Sequence, residues 1–265
     1  MKKIILTLTF CMAFGSMLLA QSNYSETRVY SKFLSKTINE DNSHSWNLNF
    51  LSLEKVGSNK NKHSWKSYAG IGPDNISVGF AGLTESDGFD YKPGGSWEWG
   101  FSLLHFELWS PNNHFGICTE LDLTRSSYRI KGNDAFHVVN VNGEKITVCD
   151  DALMKNLNYS RQRLINWSWR VPVTLCLRAS NGVHVSAGAE AELRHHVRSR
   201  AKVGKDKKYY LERNNLAVND FGYNAIVAIG TSDFEIYGRY NLPDYFGKNA
   251  RVSCQPISIG VSFNL

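Results

Sequence analysis

Ten charged residues fall where side chains could do chemistry: Glu98, Glu120, Asp122, Arg170, Arg178, Glu190, Glu192, Arg194, Glu235 and Arg239. Carboxylates among arginines suit either proton transfer or a lattice of ion pairs. Catalysis would also need a nucleophile with a base at a readable spacing, and none is legible. His195 and His196 follow Glu190 and Glu192, which suggests an acid/His pair. Consecutive side chains on a strand point to opposite faces, so the two histidines are not expected to chelate one ion. No metal, cofactor or enzymatic activity is expected. Cys118 and Cys176 lie a few residues from two turn signals, which places them at similar depth on neighbouring strands. A cross-strand disulfide is one reading and two free thiols the other. The run Arg198, Arg200, Lys202, Lys205, Lys207 and Lys208 is basic, of a kind that suits phosphate and carboxylate groups such as those of lipopolysaccharide.

These residues need elements to position them, and the pattern of those elements is period two. Ile257, Ile259, Val261, Phe263 and Leu265 alternate with Ser258, Gly260, Ser262 and Asn264. The same alternation runs through 165–178, 183–194, 115–124 and 234–241, with Tyr223, Ala225, Val227 and Ile229 marking one strand more. In every case the charged residues share the polar face. An apolar-out, polar-in strand is what a membrane barrel requires. From Trp97 the apolar phase runs through Trp99, Phe101 and Leu103, then slips to Leu104, Phe106 and Leu108. A β-bulge near Leu103 accounts for the slip.

The connections alternate in length. Ser110–Asn113, Ser180–Gly182 and Thr231–Asp233 read as tight turns, whereas 84–96, 129–160, 198–220 and 243–251 read as long polar loops. With a strand at 75–83, these connections give a closed antiparallel up-and-down transmembrane β-barrel of eight strands. Residues 21–62 fit less well: they are a periplasmic lead-in, or an extra hairpin that would make ten strands.

Residues 1–20 read as a signal peptide cleaved after Ala20: Lys2 and Lys3, then an apolar run too short to span a bilayer, for which roughly 20 residues are needed. Without Lys2 and Lys3 the chain keeps 28 basic and 24 acidic residues, a formal charge of +4. That excess is too small to argue for nucleic acid. The expected location is the outer membrane.

Several segments together resemble the PorT-like outer-membrane β-barrel proteins of Bacteroidetes. They are ISVGFAGL from Ile76, WEWGFSLLHFELW from Trp97, NHFGICTELDLTRSSYRIKG from Asn113, YSRQRLINWSWRVPVTLCL from Tyr159, GVHVSAGAEAELR from Gly182, EIYGRYNLPDYF from Glu235 and the terminal PISIGVSFNL. The resemblance covers 63–265, the expected barrel domain, and implies an eight-stranded outer-membrane barrel without an assigned activity. An eight-stranded barrel is only wide enough for side chains to fill. The ten charges are therefore expected to pair across the lumen, and the loops to carry a structural or interaction role. A narrow channel or a binding module for a small solute or lipid is the first alternative, and a barrel enzyme the second. Expected partners are outer-membrane lipid, lipopolysaccharide and the assembly machinery that reads the last strand. Trp97, Trp99, Trp109, Phe115, Tyr223, Tyr240, Tyr245, Phe246 and Phe263 are expected in aromatic girdles.

Overall fold

The computed structural model describes residues 28–32, 35–38, 44–47, 50–54, 66–132, 134–150, 159–203, 207–231 and 233–264. The signal peptide with its cleavage point, and Lys205, lie outside the described residues. The strands are β1 (Arg28–Lys32), β2 (Ser35–Ile38), β3 (His44–Asn47), β4 (Phe50–Glu54), β5 (Lys66–Asp87), β6 (Trp97–Trp109), β7 (Phe115–Ile130), β8 (Ala135–Val141), β9 (Glu144–Asp150), β10 (Tyr159–Arg178), β11 (His184–Val203), β12 (Lys207–Arg213), β13 (Phe221–Gly230), β14 (Phe234–Asn241) and β15 (Ser253–Asn264).

Eight of them close on themselves. In order around the wall they are β5, β6, β7, β10, β11, β13, β14 and β15, every pair antiparallel. Strand β15 closes the ring on β5, from Ser253↔Asp87 to Asn264↔Asn75. Among the described residues the lead-in adds no strand to this ring. β4 pairs β5 only at Ser52↔Gly70 and Leu53↔Ala69, and β1 pairs β4. The ten-strand alternative is thereby overturned, because β5 already has β15 and β6 as neighbours.

Tight turns gather at one end. The β6–β7 turn is closed by Ser110 N–H donating to Phe115 O at 2.8 Å, with Asn113 at φ 58°. The β10–β11 and β13–β14 turns close in the same way, Ala179 to Val183 and Thr231 to Phe234, each at 2.8 Å. The long connections gather at the other end, and two of them contain strands. The stretch expected as a polar loop over 129–160 holds the β8–β9 hairpin, turned at Asn142 (φ 52°) and Gly143 (φ 88°). Two successive positive φ values are the type I′ geometry that matches strand twist. β12 folds back on β11.

The wall is inverted relative to a soluble domain. Phe80 is 74% exposed, Ile259 59% and Val227 58%, all pointing outward. Along β13 exposure and burial alternate strictly, with Asn224 inside and Tyr223 outside. The expected bulge is present, as a register shift between Ser102 and Leu104.

Candidate functional site

The lumen is layered. At its loop end an apolar core fills it: Phe89, Tyr128, Ile130, Phe136, Leu164, Leu216, Tyr245, Phe246 and Val252 are all buried together. The contributors come from each long connection, so the loops form a packed cap. Phe136 packs edge-on against Phe89, ring centroids 5.0 Å apart, and lies tilted against Phe246 at 5.1 Å.

Beneath the cap lies the charge network. Arg170, on β10, reaches Glu98 at 3.2 Å, Glu192 at 3.2 Å and Glu190 at 3.7 Å. Arg239, on β14, reaches Glu98 at 2.8 Å and Glu190 at 2.9 Å. Arg194 holds Glu192 at 2.9 Å, and its guanidinium lies 4.8 Å from the Tyr245 ring in the cap. Three arginines thus face three glutamates, each at least nine-tenths buried in its side chain. Opposite charges at this density offset the desolvation that an unpaired buried charge would incur. Tyr237 donates to Glu98 at 3.0 Å and Asn224 to Glu190 at 2.6 Å, filling remaining acceptor positions. Their place on the polar faces of β13 and β14 was the signal that could have named them.

Four of the ten charges lie outside this network. Glu120 and Asp122 make no ion pair among the described residues. Both instead meet the Ser102 hydroxyl, each at 2.7 Å. Glu235 meets His184 Nε2, a partner the sequence reading had not named. Arg178 leaves the lumen network and stacks over the Trp109 ring at 4.0 Å. Trp109 is itself inside, 2% exposed, because the bulge after Ser102 reverses the faces of the rest of β6. Its ring occupies the space that Gly116 leaves empty, where any Cβ would stand 2.6 Å from it. Trp109, Tyr245 and Phe246 are therefore interior residues, which corrects their placement in the girdles.

Below the network a cavity of about 300 Å³ reaches the turn end, lined among others by Glu107, Glu120, Glu235, Arg178 and His184. Cys118 and Cys176 face it as free thiols on β7 and β10, their sulfurs 2.9 Å apart. Cys176 stands opposite Gly116 and Thr174 opposite Cys118, so the thiols meet diagonally. A disulfide needs a separation of about 2.05 Å, so the two sulfurs would have to draw closer by ~1 Å. Treating the purified barrel with an oxidised dithiol reagent is expected to remove both cysteines from thiol labelling, and reductant to restore them. Persistent labelling of both would refute the pairing.

His195 and His196 depart from the regular strand. His196 has φ 52°, and the β10–β11 register shifts between Ile165 and Trp167. This bulge brings the two rings within 5.0 Å of each other instead of setting them on opposite faces. His195 lies against Trp169, 6.2 Å between ring centroids, away from Glu190 and Glu192 in the lumen. No group of three or more His, Cys, Asp or Glu side chains among the described residues is arranged to hold a metal ion. Of the basic run, Arg198, Arg200 and Lys202 lie on the upper part of β11, and Lys207 and Lys208 fall within β12.

No protein-family profile and no curated protein matches the chain. Among solved structures, Ail, the attachment invasion locus protein of Yersinia pestis, is similar over 72% of this chain and 97% of its own, at 13% identity and a TM-score of 0.31. That overlap is too loose to bear on function. The barrel stands on the chain's own strand pairing.

Proposed function

We propose that the chain is an outer-membrane β-barrel that acts through its loop-end cap as an envelope or interaction protein and does not conduct. The observation that carries this reading is the inverted wall. Phe80, Val227, Ile229, Leu175 and Ile259 are exposed around the outside, while Glu98, Arg170 and Glu190 are buried within. Water would penalise such a surface, whereas acyl chains are its natural solvent. Phe115, Phe234 and Phe263 ring the turn end, and Trp97, Trp99, Trp167 and Trp169 mark the other rim. Export behind residues 1–20 puts the tight turns in the periplasm and the cap outside. Kinship with the PorT-like barrels of Bacteroidetes rests on the ordered segments across 63–265.

The absence of conduction follows from the lumen's layers, since the ion pairs and the apolar cap leave the turn-end cavity without an outlet through them. The purified protein in planar bilayers is expected to give no discrete conductance steps. Reproducible steps would overturn the closed-lumen reading. Recovery of the protein in a fraction other than the outer membrane would overturn the location.

A further inference from the structure

Three arginines stand abreast on the outward face of the wall, Arg129 and Arg200 half-buried and Arg163 buried between them. Strand pairing sets Arg129 of β7 opposite Arg163 of β10, and Arg163 opposite Arg200 of β11. Residues directly opposite on a sheet share a face, and like charges in that position repel. The row has neighbours of the same sign: Arg161 lies opposite Lys202, Ile165 opposite Arg198, and Trp167 opposite Arg125. The charges of Arg161, Arg200, Arg129 and Arg125 all act on Arg163. Arg163 is only 8% exposed and donates from Nη1 to Ser127 Oγ at 2.7 Å. Among the described residues, no carboxylate pairs with Arg129, Arg161, Arg163, Arg198 or Arg200.

The bulge at His196 creates this arrangement. Below it, Glu190, Glu192 and Arg194 point into the lumen. Above it, Val197, Ser199 and Ala201 are buried, so Arg198, Arg200 and Lys202 turn outward. On β7, Tyr128 and Ile130 belong to the cap core, which leaves Arg129 on the outside. The row sits at the edge of the tryptophan rim, where the Arg125 guanidinium lies 5.3 Å from the Trp97 ring and 5.9 Å from that of Trp167. In the outer-membrane placement, this is the level of lipid headgroups.

We propose that the row Arg129–Arg163–Arg200 docks the phosphate groups of an outer-leaflet lipid of the lipid A class, with Arg129 and Arg200 presenting their guanidinium groups and the buried Arg163 adding its charge between them. This inference rests on the outer-membrane reading above. Guanidinium groups match phosphate oxygens in a bidentate fork, and an anion between them relieves their mutual repulsion. The recognising surface is the wall itself, on three different strands, and includes arginines outside the basic run of the third loop.

The test uses the full chain in nanodiscs of zwitterionic phospholipid, titrated with bis-phosphorylated lipid A, its dephosphorylated form and inorganic phosphate, with binding read by native mass spectrometry. The phosphorylated lipid is expected to bind on the order of a hundredfold more tightly than the dephosphorylated one. The R129Q/R163Q/R200Q variant is expected to lose a similar factor, while K145Q, on the exposed β8–β9 hairpin, keeps wild-type affinity. Equal affinity for the two lipids in the wild-type protein would overturn the proposal without any variant having to fold. Inorganic phosphate competing as strongly as the lipid would overturn it in favour of a free-anion site. Failure of the chain to enter nanodiscs would overturn the outer-membrane reading and this inference with it.

Discussion

Replacing Arg170 with Met is expected to destabilise the barrel by roughly 3–5 kcal/mol, the range for breaking a buried ion pair from one side. Arg170 is the central cation, touching all three glutamates of the network, and its own side chain is 4% exposed. Without it, Glu98, Glu190 and Glu192 keep, among the described residues, Arg239 and Arg194 as cationic partners. The neutral methionine fills much of the volume but offers no donor to the Glu98 and Glu192 oxygens. Urea unfolding in detergent micelles, followed by the heat-dependent gel shift of a folded barrel, measures the loss. A midpoint unchanged from wild type would refute the view that the network supports the fold. Arg178→Met provides the contrast. Arg178 stacks on Trp109 at the turn-end mouth and belongs to no ion pair of the network, so its loss is expected to cost less than about 1 kcal/mol.

The different fates of Arg170 and Arg178 show where the sequence was legible. Alternation assigns a residue to a face, and it placed Glu98, Arg170, Glu190, Glu192, Arg194 and Arg239 on the one that became the network. It says nothing of depth, and depth separates Arg178, beside a turn, from Arg170, eight residues further into the wall. Alternation also reverses at each bulge. The slip near Leu103 was readable because large apolar residues changed phase there, but its consequence for Trp109 was lost, since a terminal tryptophan also suits an interfacial girdle. The slip at His196 left no such trace. The residues beyond it are mostly charged or small, so both phases look polar, and the outward turn of Arg198 and Arg200 was invisible. The β8–β9 hairpin was missed for a different reason. Its Asn142-Gly143 dipeptide between alternating segments is a strong turn signal, but it was submerged in a stretch read as one loop. The cap core has no periodic signature at all. Phe89, Leu216, Tyr245 and Phe246 come from separate irregular connections and meet only in three dimensions.

That cap yields the second large effect. Phe136→Ala is expected to release the cap while leaving the barrel folded. Phe136 is completely buried, packs edge-on against Phe89 and lies 5.1 Å from Phe246, so one side chain joins the first, second and fourth long connections. Truncating a buried phenylalanine costs roughly 3–5 kcal/mol, more than a loop assembly is expected to have in reserve. The barrel beneath is held by its own strand ladders and by the charge network, neither of which contains Phe136. Two measurements therefore separate the parts. External protease should cut the variant within the long connections faster than it cuts wild type. The heat-dependent gel shift of the barrel should persist. Loss of both together would mean that cap and barrel unfold as one unit. Unchanged protection would mean that Phe136 is not a keystone of the cap. The variant also bears on conduction. Opening the cap alone should still give no current, because Glu98, Arg170, Glu190 and Arg239 bridge the lumen below it. Conductance appearing in Phe136→Ala would identify the apolar cap, and not the ion pairs, as the barrier that closes the barrel.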